Sequence, residues 1–155
     1  LLPVVASDRP RVRPDGGAAA ETIDLKGRLI LVVDDEPAVR KVGMGFLRRL
    51  GCNVLAAADG YEAIRVFGQR HTDIDAVLMD FTMAGMDGLA TCRRLRVIRP
   101  DIPVVLSSGH DLEDQLDDAG NLTCAGFVSK PFTLKQIKGE LGRVLVEAER
   151  NGAGV

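Results

Sequence analysis

The sequence contains few cysteines, almost no net charge and no long apolar run, and each shortage excludes a class of protein. Its three cysteines, Cys52, Cys92 and Cys124, lie far apart and form no CxxC or Cys/His spacing, which argues against a disulfide framework and a zinc site. A net charge of -2 argues against a nucleic-acid surface, which would need a clustered basic excess. The apolar runs span a handful of residues, far short of a membrane-spanning helix. We therefore expect a cytoplasmic chain that binds neither nucleic acid nor a membrane.

From Arg28 onward, short apolar runs alternate with apolar stripes of helical spacing. This alternation predicts a parallel sheet with helices on both faces, and nearly continuous apolar runs are typical of strands buried on both faces. We therefore predict a single α/β domain with a doubly wound, five-stranded parallel sheet and five helices, of which the fourth (112–119) is short and acidic. The predicted strands are 29–33, 54–57, 76–79, 103–107 and 126–128.

Polar residues follow four of these runs. Asp34 and Asp35 come after the first run, Asp80 after the third, Ser108 after the fourth and Lys130 after the fifth. Parallel strands end at one edge of a sheet, so these side chains should meet there. Two carboxylates about 5 Å apart repel by roughly 3 kcal/mol at an effective dielectric near 20, so three of them need a counter-charge. Mg²⁺ suits such ligands, and a carboxylate held beside a metal and a lysine can accept a phosphoryl group.

Four ordered motifs carry a resemblance to a known family. They are Leu-Val-Val-Asp-Asp-Glu (31–36), Leu-Met-Asp-Phe-Thr-Met-Ala-Gly-Met-Asp-Gly (78–88), Pro-Val-Val-Leu-Ser-Ser-Gly (103–109) and Lys-Pro-Phe (130–132). With these motifs, the chain from about Arg28 to Glu149 resembles the receiver domain of response regulators in two-component signalling. The resemblance implies a flavodoxin-like fold with strand order 2-1-3-4-5.

The resemblance also implies a role for each residue of the acidic cluster. Asp80 would accept the phosphoryl group, and Asp34 and Asp35 would be the acid pair around Mg²⁺. Phe81 would give its backbone carbonyl to the metal. Lys130 would contact the phosphate, and the peptide bond from Lys130 to the proline that follows it would be cis.

Further positions match the parts of the family that respond to phosphate. Ser108, which lies 22 residues before Lys130, falls at the switch hydroxyl, and Phe127 falls at the switch aromatic, where tyrosine is commoner. Thr82 and His110 occupy positions at which the family tunes phosphate lifetime. A departure stands nearby, since the family usually has proline where this chain has Ala84.

The segments outside the domain suggest its context. We expect residues 1–27 to be a linker with a remnant of a preceding kinase ATP-binding domain, 28–150 to be the receiver domain, and 151–155 to be a tail. Because Leu-Leu-Pro-Val-Val (1–5) resembles the last strand of a histidine-kinase domain and no output domain follows, we expect the C-terminal receiver of a hybrid sensor histidine kinase. Its partner would be a histidine kinase or a histidine phosphotransfer domain. Two further features are compatible with this context: a homodimer of the domain, and a membrane anchor on the parent kinase.

Other functions are compatible with parts of the pattern. A free-standing single-domain response regulator is the nearest alternative, and in either context the domain would catalyse only its own phosphorylation and dephosphorylation. An aspartyl-phosphate hydrolase would need a second aspartate two residues after the nucleophile, where Thr82 stands. A degenerate receiver that only binds partners is a third alternative. A dinucleotide-binding domain is disfavoured, because Asp-Asp-Glu rather than GxGxxG follows the first strand.

Overall fold

The apolar runs of the sequence form the strands of one parallel sheet. The structure is a computed structural model that describes residues 24–109 and 126–153. All neighbouring strands pair in parallel, and their order is β2-β1-β3-β4-β5, so the predicted doubly wound, flavodoxin-like sheet is confirmed. The strands are β1 (Leu29–Val33), β2 (Asn53–Ala57), β3 (Ala76–Asp80), β4 (Val104–Ser108) and β5 (Gly126–Ser129).

Four helices cover the two faces of this sheet in the described residues. The predicted helix at 112–119 lies outside these residues. The other four predicted helices are present in the part of the chain that the structure describes. None of the described helices is long and apolar enough to cross a membrane. The helices are α1 (Pro37–Arg49), α2 (Gly60–Arg70), α3 (Gly88–Ile98) and α4 (Leu134–Ala153).

Helix starts are set by short-range chemistry. Pro37 stands at the first position of α1, where its missing N–H costs no hydrogen bond. The carboxylate of Asp59 accepts a hydrogen bond from the Glu62 N–H at 2.8 Å and caps α2. Asp87 caps α3 in the same way, accepting from the Ala90 N–H at 2.8 Å. These caps place the helix N-termini, and the positive ends of their dipoles, at the edge of the sheet where the strands end.

Alternate residues of each central strand enter separate cores on the two faces. Leu31, Val77 and Leu106 belong to the core that also contains Phe67 of α2 and Leu95 of α3. The residues beside them along the strands enter the second core, under α1 and α4; its members include Ile30, Leu78, Val105, Leu47 and Leu141. Burial on both faces explains why these strands read as continuous apolar runs rather than alternating ones.

Residues 24–28 pack against the opposite, amino edge of the sheet. Leu25 is only 4% exposed and belongs to the core under α1 and α4. The guanidinium of Arg28 forms ion pairs with Glu149 of α4 at 2.7 Å and with Asp75 at 3.6 Å. Residues 24–27, which the sequence assigned to a linker, therefore contact the domain.

Candidate functional site

Three aspartates meet at the carboxyl edge of the sheet. Asp34 follows β1 directly, and Asp80 is the last residue of β3, so the parallel pairing of these strands brings the two together. One carboxylate oxygen from each of Asp34, Asp35 and Asp80 lies within 4.8 Å of the others. Asp34 and Asp80 are 4% and 5% exposed, whereas Asp35 is more open to solvent. The structure thus assembles the predicted acid cluster, with two members buried and one facing water.

Lys130 supplies the positive charge of this cluster. Its Nζ lies 3.2 Å from Asp34 Oδ2 and 3.2 Å from Asp80 Oδ1. Burial alone would lower the pKa of Lys130, but the attraction of Asp34 and Asp80 outweighs it, so its pKa is raised and the ammonium stays charged. One ammonium cannot balance three carboxylates, and the site therefore favours a further cation.

Asp34 is held at each of its polar atoms. Its backbone N–H donates to the Ala57 carbonyl at 3.2 Å, and its Oδ1 accepts from the Glu36 N–H at 2.9 Å. Lys130 contacts Oδ2. The backbone carbonyl of Asp34 accepts a hydrogen bond from Nη1 of Arg40, on the first turns of α1, at 2.7 Å. A carboxylate with this many contacts is a preorganised one.

Asp80 is placed to react through one oxygen. Its Oδ1 receives both the Lys130 ammonium at 3.2 Å and the Thr82 N–H at 3.4 Å. Both of these contacts fall on Oδ1 rather than on Oδ2. The pKa of Asp80 is raised because burial and the nearby Asp34 charge disfavour ionisation more than Lys130 and the Thr82 N–H favour it. A positive charge brought to this site would therefore favour the ionised, nucleophilic form.

The loop between β3 and α3 closes over the exposed side of the cluster. The Ala84 N–H donates to Asp35 Oδ2 at 3.2 Å, a bond that the proline usual at this position of the family could not make. Gly85 has φ +84°, and a Cβ at that residue would lie 3.5 Å from Cε2 of Tyr61 on α2. The loop is thus tied to Asp35 on one side and lies against the Tyr61 ring on the other.

Ser108, the predicted switch hydroxyl, is the last residue of β4. Ser107 pairs with Asp80 in the register of β3 and β4, and Ser108 pairs with Ser129. Both serines are 2% exposed, and the Ser108 carbonyl accepts the Lys130 N–H at 2.8 Å. The backbone therefore brings Ser108 next to the lysine, while its role as the switch hydroxyl stays a prediction.

Phe127, the predicted switch aromatic, is half-buried against the core under α2 and α3. Its backbone N–H donates to the carboxylate of Glu140 on α4 at 2.9 Å. The pKa of Glu140 is lowered: burial alone would raise it, but the ion pair with Arg143 and the Phe127 N–H outweigh burial. A charged group that the sequence did not indicate thus binds β5 to α4.

The remaining predicted residues differ in how much the structure describes of them. Thr82 lies at the site through its N–H, whereas His110 lies outside the described residues. The Phe81 carbonyl accepts a hydrogen bond from the Gly88 N–H at 2.8 Å, which uses one of its two lone pairs. Its service as a metal ligand stays a prediction. The cis peptide bond between Lys130 and Pro131 is confirmed.

Two residues of the site were missed by sequence reasoning. Arg40 gave no signal, because an arginine on the exposed side of a helix is common and its contact depends on the turn after β1. Gly88 was quoted within a motif but given no role. A Cβ there would lie 2.6 Å from the Asp80 carbonyl oxygen and 2.8 Å from Phe81 Cα, so only glycine lets α3 approach the end of β3 this closely.

An apolar groove of about 440 Å³ begins beside the lysine. It runs between α1 and the turn after β5, and it is lined by Ala38, Val39, Val42, Pro131 and Phe132, with Lys130 at its end. Val42, on α1, is 49% exposed. The groove and the acidic cluster therefore share a residue.

Comparison with known proteins agrees with this geometry. The sensor kinase CckA of Brucella abortus (strain 2308) is 40% identical over 118 residues, which are 74% of this chain and 12% of that kinase. The autoinducer 1 sensor kinase/phosphatase LuxN of Vibrio campbellii is 35% identical over 116 residues, which are 75% of this chain and 13% of that protein. The chain thus spans only a small part of the length of these relatives.

A solved structure supports the same relationship. The receiver domain of the sensor histidine kinase PA1611 from Pseudomonas aeruginosa PAO1 was solved with a magnesium ion coordinated in its active site cleft. It matches this chain with a TM-score of 0.70 at 27% identity, covering 77% of this chain and 98% of that one. The family described as response regulator receiver domain matches residues 30–141. This chain therefore belongs to the receiver domains of two-component response regulators.

Proposed function

We propose that Asp80 accepts a phosphoryl group from a phosphohistidine and that the resulting aspartyl-phosphate switches the domain between two conformations. The contact of Lys130 with both Asp34 and Asp80, at 3.2 Å each, is the observation that carries the proposal. It puts a cation against the acceptor carboxylate, as transfer of a charged group requires. Oδ2 of Asp80 attacks phosphorus, the P–N bond breaks, and its electron pair stays on the histidine nitrogen.

The donor set fits Mg²⁺. Each of the three aspartates offers a carboxylate oxygen within 4.8 Å of the other two, and carboxylate oxygens are the hard ligands that Mg²⁺ prefers. Asp34, Asp35 and Asp80 would hold the ion, with the Phe81 carbonyl as the predicted backbone ligand. Bound there, Mg²⁺ supplies the positive charge that neutralises phosphoryl oxygens and the acid cluster.

The chain's own residues would read the phosphate. Lys130 divides its charge between Asp34 and Asp80, and a phosphoryl group on Asp80 offers it a stronger anionic partner. We infer that Ser108, whose carbonyl already accepts the Lys130 N–H, donates its hydroxyl to the phosphate and that Phe127 changes position with it. Such a change shifts a pre-existing equilibrium rather than creating a new state. Thr82 and His110 would set the lifetime of the phosphate.

The partner would be a histidine kinase or a histidine phosphotransfer domain. A donor histidine must approach Asp80 past Lys130, and the apolar groove starts at that residue. We infer that the apolar side of a partner helix docks in this groove and presents its histidine at the acid cluster. Val42 of α1, which lines the groove and is 49% exposed, would contact such a helix.

We place the domain within a hybrid sensor histidine kinase. The two sensor kinases described above match it over most of its length, and each contains much more protein than the matched part. In this proposal 1–27 connects the end of a kinase ATP-binding domain to the receiver (28–150), with residues 24–27 already packed on the receiver, 151–155 is a tail, and the domain works in the cytoplasm. Kinase motifs encoded upstream of Leu1 would support it, and their absence would favour a free-standing regulator.

Phosphorylation of the purified chain tests the central proposal. We expect acetyl phosphate with Mg²⁺ to add one acid-stable, base-labile phosphate, detected as a mass increase or as radioactive label. Asp80→Asn should abolish the label, and chelation of Mg²⁺ should do the same. The matched control is Asp73→Asn, an exposed aspartate paired with Arg70, which should be labelled like the original chain.

A contradictory result would point to another function. Label that survives Asp80→Asn would show a different acceptor. Absence of label and of any spectral change with beryllium fluoride and Mg²⁺ would indicate a degenerate receiver that only binds partners. Continuous release of phosphate from unrelated phosphomonoesters would indicate a hydrolase.

A further inference from the structure

We propose that Arg40 is a positioning residue for the metal site, acting through the peptide group that joins Asp34 to Asp35. This inference rests on the proposed binding of Mg²⁺ by the acid cluster. The Nη1 atom of Arg40 donates to the Asp34 backbone carbonyl at 2.7 Å, the short distance of a charge-assisted hydrogen bond. Among residues 24–109 and 126–150, Arg40 is the side chain recorded on the peptide group between these two aspartates.

The Asp34 carbonyl needs such a partner because of its place in the chain. Asp34 lies immediately after β1 and is only 4% exposed, and the chain turns there from strand into α1, which starts at Pro37. Its N–H still bonds to the Ala57 carbonyl of β2, but its own carbonyl accepts the Arg40 side chain instead of a strand. A buried carbonyl left without a donor is costly, so the arginine stabilises this particular turn.

The consequence falls on Asp35. The Asp34 carbonyl and the Asp35 N–H belong to one planar peptide group, so fixing that plane fixes one side of the Asp35 backbone. The Asp35 carboxylate is otherwise held by the Ala84 N–H at 3.2 Å, on a loop. Arg40 therefore determines from the α1 side where the most exposed of the three carboxylates points. The other two are already held by Lys130.

A purely electrostatic role for Arg40 makes the opposite prediction. A guanidinium near the cluster repels an incoming divalent cation, so its removal by itself would tighten Mg²⁺ binding. Loss of positioning would weaken binding, because Asp35 would spend less time in the geometry that the ion requires. The sign of the change in Mg²⁺ affinity thus distinguishes the two roles.

Calorimetric titration of the chain with Mg²⁺ alone provides the test. Arg40→Met keeps an unbranched apolar stem and removes the donor, and we expect its Mg²⁺ dissociation constant to rise about three- to tenfold, the effect of one lost hydrogen bond. The matched control is Lys41→Met, which removes a positive charge from the adjacent, exposed residue of α1 and should change the constant less than twofold. The phosphorylation rate of Arg40→Met with acetyl phosphate should return to that of the original chain at saturating Mg²⁺.

Several outcomes would overturn the proposal. An unchanged or tighter Mg²⁺ constant in Arg40→Met would show that the residue acts only by its charge or not at all. A rate that stays low at saturating Mg²⁺ would place its role outside the metal site. If the original chain itself bound no Mg²⁺, the proposed function and this inference would fail together, whereas normal binding in both variants would remove this inference alone. Should Arg40→Met fail to fold, Arg40→Lys provides the test, because it keeps the charge on a side chain one bond shorter. A positioning role then predicts weaker Mg²⁺ binding, and a role of the charge alone predicts an unchanged Mg²⁺ dissociation constant.

Discussion

Asp80 is subject to opposing forces from its nearest neighbours. Burial and the Asp34 charge favour its protonated form, Lys130 favours its ionised form, and the balance raises its pKa. An aspartate whose pKa is raised by folding lowers the stability of the folded state once the pH exceeds its unfolded value, about 3.9. The acceptor carboxylate is therefore kept at a cost in stability.

This cost predicts that Asp80→Asn is more stable than the original chain at neutral pH without Mg²⁺. The gain should be about 1 kcal/mol, the usual size of a single-substitution effect, because relief of the burial penalty on the charged carboxylate and of the Asp34 repulsion outweighs loss of the Lys130 attraction. Urea unfolding at pH 7 and near pH 4 measures it, and the gain should shrink at the lower pH, where Asp80 is increasingly protonated in both states. Asp101→Asn, in which the side chain is 79% exposed, is the control and should change stability little. A gain that is equal at both pH values would show that charge repulsion is not its cause.

Most of the site residues could be predicted because of where they stand. Asp34, Asp80 and Lys130 each end or follow a buried strand, and parallel strands bring such residues to one edge. Arg40 could not be predicted in this way, since its contact needs the turn geometry between β1 and α1. The hydrogen bond from the Phe127 N–H to the Glu140 carboxylate could not be predicted for the same reason, because it joins residues 13 positions apart in two different elements.

The junction of β3 and α3 depends on one residue without a side chain. Gly88 begins α3, and a Cβ there would meet the backbone of Asp80 and Phe81 at 2.6 and 2.8 Å. Backbone atoms cannot move aside as a flexible side chain can. The helix therefore approaches the acceptor residue only because position 88 is glycine.

We expect Gly88→Ala to destabilise the domain by about 1–3 kcal/mol, as overpacking does, and to slow labelling of Asp80. Gly45→Ala is the matched control, because Gly45 lies inside α1 with nothing within 4 Å of its would-be Cβ. That change should instead stabilise the protein by roughly 0.5–1 kcal/mol, the helix preference of alanine over glycine. Urea midpoints of the two variants check both signs. Equal midpoints would refute the importance of the close approach at position 88.

Element limits were predicted to within a residue or two, and the deviations at the carboxyl ends of β3 and β4 have one cause. Asp80 and Ser108 are strand residues in the structure, whereas the sequence placed them just beyond their strands. Register explains this: Asp80 pairs with Ser107 and Ser108 pairs with Ser129, so the sheet continues through residues that are polar for functional reasons. Apolar patterning cannot detect strand residues of that kind.

The whole domain is closed at its amino edge by contacts between distant parts of the chain. Arg28 joins the start of β1 to Glu149 near the end of α4, 121 positions later. Leu25 extends the core under α1 and α4 beyond the first strand. The sequence did not indicate this extension, because two apolar residues, Ile23 and Leu25, are too few to establish a periodicity.

Leu25→Ala should therefore cost about 2–4 kcal/mol of unfolding free energy, as large-to-small changes in a core do. A segment that behaved as a linker would tolerate the change. Val97→Ala removes an apolar side chain that is 80% exposed, and it should shift stability by no more than about 0.5 kcal/mol. Thermal and urea unfolding of the two variants compare them directly. If the Leu25→Ala variant were as stable as Val97→Ala, residues 24–27 would be part of the linker and would not contribute to the core.

Tyr61, whose ring lies against Gly85, has a spectroscopic consequence. The chain has one tyrosine and no tryptophan, so ultraviolet emission from the unlabelled protein originates at a single known position. That position adjoins the loop whose Ala84 N–H is bound to Asp35. A fluorimeter therefore records the surroundings of this loop without any attached dye, and the domain carries its own optical probe beside its acidic cluster.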